Sequence, residues 1–343
     1  MKTYSLQSAI LSLLVILSIA CQKNNDDISA NHKLWYEQPA SRWEETLPLG
    51  NGRIGIMPDG GVDVEKLVLN DITLWSGGVQ DPNNPDAAQY LPEIQRLLFE
   101  GKNDEAQELV YQTFVCKGAG SGFGNGTNVP YGSYELLGNL NLAWQYDNTS
   151  EATDYYRELN IGNATATTRF TKGGVTFTRE YLTSFTDDVA IIRLTASEKG
   201  KISLTVGMDR PRASETTVSG NSLILSGQLN NGTDGNGMKF MAKVQPVLKG
   251  GSQEPGDKSL IIKNADEVLL YVSMGTDFRN PEFAENLEEK LNQAASRKYP
   301  SQKKAHTAAF QSYFNRVSLN LEPNPERETL PTDRRLIEFA RDG

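Results

Sequence analysis

The chain has 343 residues, longer than one hydrophobic core usually holds, although large β-sandwiches exceed two hundred residues as a single unit. Its 43 acidic residues outnumber 34 basic ones for a net charge of -9, and no long basic run could track a phosphate backbone, which argues against nucleic acid as a partner. With two histidines, two cysteines and neither a His-Glu-x-x-His nor a Cys-x-x-Cys pattern, the sequence calls for no metal and no cofactor.

Residues 1–20 read as a signal peptide. Lys2 supplies the positive end, and Ala9 to Leu17 form an apolar stretch too short to span a bilayer. Ser18-Ile19-Ala20-Cys21 resembles a bacterial lipoprotein cleavage site, which makes Cys21 the lipidation candidate; Leu17 stands four residues before it rather than three, and ordinary cleavage near Ala20 is the alternative. Residues 21–31 are polar and too poor in apolar groups to order themselves, so they read as a tether. The expectation is an exported protein, periplasmic or at the cell surface, that meets the membrane only through a lipid anchor. A lipidated Cys21 would leave Cys116 without a disulfide partner, and a catalytic role for that thiol would need His32 or His306 beside it.

Two helical stretches come early. Pro92 suits a first turn, Ile94, Leu97 and Leu98 share a face, and Gly101 suits the terminating position. Asn103 then reads as the cap of a second helix with Ala106, Leu109, Val110 and Phe114 on one side, the pair covering an edge or end of the fold. The glycine-rich run Gly118 to Gly126 lacks the flanking strand, helix and Lys-Ser/Thr of a phosphate cradle and reads as a surface loop.

From Tyr134 to about Phe278 short runs alternate with period two and are rich in Val, Ile, Thr, Tyr and Phe. The expected strands are 155–161, 165–171, 175–185, 189–196, 202–209, 222–225, 239–248, 259–263 and 267–275. Lys172-Gly173-Gly174 reads as a hairpin turn. Many strands and few helices predict a mainly β fold, a large antiparallel β-sandwich over residues 32–279. After Arg279 the pattern becomes helical: one stretch opens at Asn280-Pro281, another at Tyr299-Pro300, and a third at Leu330-Pro331-Thr332-Asp333, with Arg316 to Leu321 alternating like one more strand.

The chemistry-bearing residues crowd between Trp35 and Gly78. Three of four tryptophans fall there, with Asn, Asp, Glu and Arg groups of the kind that bind sugar hydroxyls while an indole covers a ring face. The other reading, which composition alone favours, is that the tryptophans are core aromatics and the glycines mark turns. Pro48-Leu49-Gly50-Asn51-Gly52-Arg53-Ile54-Gly55 and Asn70-Asp71-Ile72-Thr73-Leu74-Trp75-Ser76-Gly77-Gly78 resemble the two N-terminal hallmarks of glycoside hydrolase family 95, known for exo-acting α-L-fucosidases and some α-L-galactosidases. Tyr131 to Leu140 is similar to a further string of that family, with Glu135 for Gln and Asn139 for Asp. His306, Tyr313, Phe314, Arg316, Val317 and Leu330 to Arg334 resemble its bridge into the next domain.

That resemblance, spanning residues 33 to 343, implies an N-terminal glycosidase super-sandwich followed by a helical linker and the start of an (α/α)6 barrel over 280–343. In the family the barrel carries the inverting chemistry: a Glu protonates the departing oxygen, and an Asn polarised by an Asp positions water. No catalytic residue is therefore assigned in this chain, and Glu45 or Glu135 as an in-chain acid lacks a water-activating partner. The expectation is the N-terminal portion of an exported enzyme acting on fucosylated glycans, inactive as this fragment. A non-catalytic glycan-binding or partner-docking surface lipoprotein is the alternative. Asn51, Arg53, Asn70, Asp71 and Trp75 are the candidates for a substrate rim or a domain interface.

Overall fold

The computed structural model describes residues 32–117, 131–319 and 325–342. The expected signal peptide, Cys21 and tether lie outside the described residues, as does the glycine-rich run from 118 onward.

Among the described residues the chain folds as two antiparallel sheets packed face to face. Its strands are β1 (Lys33–Tyr36), β2 (Leu49–Gly50), β3 (Ile54–Pro58), β4 (Val64–Asp71), β5 (Gly138–Trp144), β6 (Thr153–Asn160), β7 (Thr165–Lys172) and β8 (Val175–Thr183). They continue with β9 (Ala190–Ala196), β10 (Ile202–Asp209), β11 (Glu215–Ser219), β12 (Ser222–Gln228), β13 (Lys239–Lys249), β14 (Ser252–Gly256), β15 (Ser259–Ala265) and β16 (Glu267–Thr276). One sheet runs β1-β6-β7-β8-β9-β16-β13-β12-β11, the other β14-β15-β10-β5-β4-β3-β2. The expected β-sandwich is the observed fold.

Alternation builds the faces. In β3, β5 and β10 every second residue is buried, and Ile54, Ile56, Leu140, Leu142, Leu204 and Val206 enter the shared core. The predicted turn at Gly173-Gly174 joins β7 to β8 with both glycines at positive φ (59° and 81°), which a two-residue hairpin requires. β16 departs from alternation because both of its faces are covered. Leu270 and Val272 meet the opposite sheet, while Tyr271 packs with Leu182, Ile191, Leu291 and Tyr299 beneath the following helices.

The sheets are also pinned by a dry ion pair. Arg179 of β8 reaches Glu65 of β4 at 2.9 Å with both side chains fully buried, and the Tyr181 phenol donates to the same carboxylate at 2.5 Å. Arg179 further donates to the carbonyls of Gly61 and Val62 and lies 4.3 Å from the centre of the Trp144 ring.

Several elements differ from the expectation. β1 to β4 fall in the segment read for its motifs, where Gly, Pro and Trp mask the alternation. β11 and β14 are polar edge strands, and β14 carries Pro255. The two early helices are α1 (Leu91–Phe99) and α2 (Asn103–Thr113), with Gly101 between them at φ +75°. Asn103 is the first residue of α2 and makes no side-chain cap, contrary to the capping role read from its type. Ile94, Leu97 and Ala106 form a small core of their own, separate from that of the sandwich.

After the sandwich come α3 (Phe283–Ala295), α4 (Tyr299–Phe314), α5 (Pro325–Glu328) and α6 (Thr332–Asp342). Arg316 to Leu319 follow α4 without strand structure, against the expected strand over 316–321; they are exposed and no neighbouring strand pairs with them, and Asn320 and Leu321 lie outside the described residues. α6 returns to β1, where Thr332 Oγ1 accepts the Trp35 N–H at 3.0 Å. Among the described residues no helix is long and apolar enough to cross a membrane.

Candidate functional site

The first hallmark string makes a tight turn between β2 and β3. Asn51 shapes it: its Oδ1 accepts the backbone N–H groups of Arg53 (3.0 Å) and Ile54 (2.9 Å), and Gly52 takes φ +92°. The amide nitrogen of Asn51 donates outward to the Ser184 carbonyl at 3.1 Å and to Asp188 Oδ1 at 2.9 Å, so both ends of the side chain are used.

Arg53 is the hub. Its Nη1 donates to Asp71 Oδ2 at 2.6 Å and to the Met274 carbonyl at 2.8 Å, while Nε meets both oxygens of Asp188 at 2.8 and 2.9 Å. Asp71 closes β4 almost fully buried, and its other oxygen accepts the N–H (2.9 Å) and hydroxyl (2.6 Å) of Thr73; that hydroxyl also lies 2.5 Å from Thr276 Oγ1. Asp188 sits in the turn between β8 and β9 at φ +54° and receives Lys290 of α3 at 2.6 Å. Burial opposes ionisation of Asp188, but Lys290, Arg53 and Asn51 together outweigh it and hold the carboxyl below its ordinary value. Asn51, Arg53 and Asp71 thus join β3, β4, the β8–β9 turn, β16 and α3 in one polar knot.

Beside the knot a cleft of about 330 Å³ opens between the sandwich and α3. Ile72, Thr73, Thr276, Phe283 and Leu287 line it together with Arg53, Arg279, Asn280, Asn286 and Lys290.

The other two candidates lie apart from the knot. Asn70 precedes Asp71 on β4 and therefore faces the opposite side, where its Oδ1 accepts the Tyr134 hydroxyl at 3.1 Å. Trp75 pairs with Tyr134 through an isolated β-bridge, their rings 5.7 Å apart and edge to face, and the indole N–H donates to the Ile72 carbonyl at 3.2 Å. Trp75 and Trp43 are 49% and 58% exposed, so neither is a core aromatic; Trp144, outside the motif region, is the buried one.

The acids that the sequence offered are engaged by neighbours. The Ser41 backbone N–H, joined by the Ser41 hydroxyl and Arg42, pulls Glu45 down to about 2. Glu135 is held by Arg210 at 3.0 Å. Cys116 is exposed and unbridged, and buried His306 uses Nε2 on the Ala164 carbonyl at 3.0 Å. Among the described residues no group of three or more His, Cys, Asp or Glu gathers as a metal site.

The sequence did not single out Asp188, Lys290, Thr276 or Arg279, and Tyr134 stood in the Tyr131–Leu140 string without being named a site candidate. The adjacent pair Asp187-Asp188 between two strand patterns was the one available signal, and it marks a turn rather than a partner for Arg53.

A two-sheet antiparallel sandwich with a helical segment fastened to one sheet is the architecture, and the match to a family model makes it the N-terminal domain of a glycoside hydrolase. More particularly, residues 34–281 match the family model described as "Glycosyl hydrolase family 65, N-terminal domain", and the chain belongs to that family. The chain is similar to "Alpha-L-fucosidase 2" of Arabidopsis thaliana, 28% identical over 338 residues that cover 90% of this chain and 39% of that protein. It is equally similar to the "Probable alpha-fucosidase A" of Aspergillus niger, 28% identical over 346 residues, 92% of this chain and 41% of the relative. Among solved structures, "Putative kojibiose phosphorylase from human microbiome" superposes with a TM-score of 0.51 at 11% identity, over 88% of this chain and 40% of that one, which is a likeness of fold. The chain spans about two fifths of the length of the curated relatives it matches.

Proposed function

We propose that this chain is the N-terminal sandwich and linker of an exported, exo-acting glycoside hydrolase of the family 95 type, which removes terminal α-L-fucosyl groups with inversion. The carrying observation is the similarity to proteins named as α-fucosidases along 90% and 92% of the chain. The role assigned to residues 32–343 is to hold the linker in register for a catalytic domain and to border its substrate, with the fucosylated glycan as the partner of the whole enzyme. The signal-like start and Cys21 support export with a lipid anchor.

Glycoside hydrolysis by inversion needs a protonated acid facing a group that orients water, with space for that water between them. Here Asp71 accepts on both oxygens, Asp188 is held ionised by two cations, Glu45 is ionised, and Glu135 is paired. The side chains around the cleft fasten and position; bond cleavage is assigned to groups beyond these residues.

The test is fucose release from an aryl α-L-fucoside and from 2′-fucosyllactose. The chain alone is expected to release none, whereas the polypeptide extended by the sequence that follows in its gene should turn over, giving the β-anomer first by proton NMR. Turnover by the chain alone, or an extended polypeptide that cleaves no fucoside, overturns the reading.

A further inference from the structure

The Trp75–Tyr134 pair is not used by the polar knot, and its setting is unusual for two large aromatic residues outside the core. Trp75 is 49% exposed and Tyr134 44%, yet both polar tips are satisfied within the protein, the indole N–H by Ile72 and the phenol by Asn70. What remains turned to water is apolar ring surface.

The two segments that present the rings are clamped. Leu74 is fully buried beneath them, and the Glu135 N–H donates to its carbonyl at 3.0 Å. The Ser76 N–H donates to the Ser133 carbonyl at 2.9 Å, and the Ser133 N–H to Ser76 Oγ at 3.0 Å. Gly132 approaches so closely that a Cβ there would lie 1.7 Å from the Ser76 carbonyl oxygen, and Gly77 is tied to the Asn230 carbonyl at 3.0 Å. Rings held this way lose little further freedom when something settles on them.

The groups around the rings decide what that something is. Asn70 uses only its oxygen, so its amide nitrogen has no partner among the described residues. Ile72, whose carbonyl holds the indole, also borders the cleft, where Arg279 and Asn286 stand without ion-pair or hydrogen-bond partners among the described residues. An apolar protein surface laid here would strand those donors at a cost. A polyhydroxylated ring offers an apolar C–H face for the aromatics and acceptors for the amides.

From this we propose that Trp75 and Tyr134 form a carbohydrate-binding platform for a pyranose ring of an oligosaccharide that continues into the cleft beside α3. The proposal rests on the glycoside hydrolase reading above; to the rim candidates Asn70 and Trp75 it adds Tyr134, Arg279 and Asn286 and the recognition mode. Trp75 and Tyr134 supply the stacking surface, Asn70 Nδ2 a hydroxyl contact next to it, and Arg279 and Asn286 contacts further along the chain of sugars.

The experiment is calorimetric titration of the purified chain with 2′-fucosyllactose, lactose and L-fucose, for wild type, Trp75→Ala, Trp75→Phe and Tyr134→Phe. Saturable binding of at least one oligosaccharide is expected, weakened about tenfold or more by Trp75→Ala, as for other aromatic anchors. Trp75→Phe should keep most of the affinity, and Tyr134→Phe should keep the ring and weaken binding by roughly threefold through its loosened hold on Asn70. Unchanged urea midpoints keep loss of binding separate from loss of fold. Absence of binding to all three sugars overturns the platform, as does Trp75→Ala binding as tightly as wild type. Wild-type self-association abolished by Trp75→Ala would instead make the patch an interface between copies and equally overturn it. Fucoside turnover by the extended polypeptide that is indifferent to Trp75→Ala would sink the platform and leave the proposed activity standing.

Discussion

Asp188→Asn isolates the knot that ties α3 to the sandwich. Asp188 accepts from Arg53 at 2.8 Å, Lys290 at 2.6 Å and Asn51 at 2.9 Å. Its φ of +54° is a conformation Asn adopts as readily as Asp, so the backbone term cancels. A dry charge-assisted hydrogen bond contributes about 1.5–3 kcal/mol. The three charged side chains are each 28–31% exposed, so solvent screening trims each ion pair to roughly 1 kcal/mol, and about 2 kcal/mol for the whole substitution follows. Because the folded carboxyl titrates below its unfolded value of about 3.9, its contribution is fully present above that pH and is lost as pH falls through the lower folded value. Urea unfolding should therefore show the full deficit from about pH 5 to 7 and a shrinking one below about pH 4. Amide exchange in α3 should quicken by roughly tenfold or more, since Lys290 is its tie to the turn. A deficit under about 0.5 kcal/mol at neutral pH, or one that stays constant under acid, would refute the reasoning.

Glu65→Gln leaves Arg179 fully buried without a countercharge and should cost about 3–5 kcal/mol in urea unfolding; a loss below about 1 kcal/mol would show that the carbonyls of Gly61 and Val62 suffice. Gly132→Ala places a methyl 1.7 Å from a backbone oxygen, so roughly 2 kcal/mol or more should be lost and the Trp75 emission should shift as its loop moves; an unchanged midpoint and spectrum would mean that the segment is free to yield. Burial lowers His306 below its ordinary value, so its neutral form belongs to the fold and its contribution is complete above about pH 6.5 and declines as pH falls below that. His306→Gln keeps a donor for the Ala164 carbonyl and should flatten the stability slope between about pH 7 and 5; a slope equal to wild type would assign it to other groups.

Much of the sandwich was legible because its strands are half buried. β7, β8, β9 and β10 carry the period-two pattern in their residue types, and the double glycine announces the turn between β7 and β8. The expected strand over 267–275 is β16, even though the helices cover its second face, whereas the polar edge strands β11 and β14 carry too little apolar pattern to be read. Alternation misled over 316–319, where an alternating pattern has no sheet to join. Arg53, Asn51 and Asp71 could be read locally, but Asp188 and Lys290 could not. They reach the knot across 135 and more residues, or through another side chain, and no spacing rule encodes such a meeting.

What can be read in retrospect is that the two hallmark strings meet at the open end of one hairpin, β3–β4. β3 and β4 pair with Ile54 opposite Asp71 and Gly55 opposite Asn70, so antiparallel register alone brings Arg53 beside a carboxylate 18 residues away. The same register divides the work. Successive residues of a strand face opposite sides, so Asp71 turns inward to Arg53, while Asn70 turns outward to Tyr134. Shifting β4 by one residue would exchange the two faces: in one direction it sets the Asn70 amide against the guanidinium and Leu69 under the phenol, in the other Ile72 against the guanidinium and Asp71 under the phenol. One short hairpin thus fixes both the fastening of α3 and the geometry of the exposed aromatic pair, and damage to its register should appear in the stability of α3 and in the proposed sugar binding together.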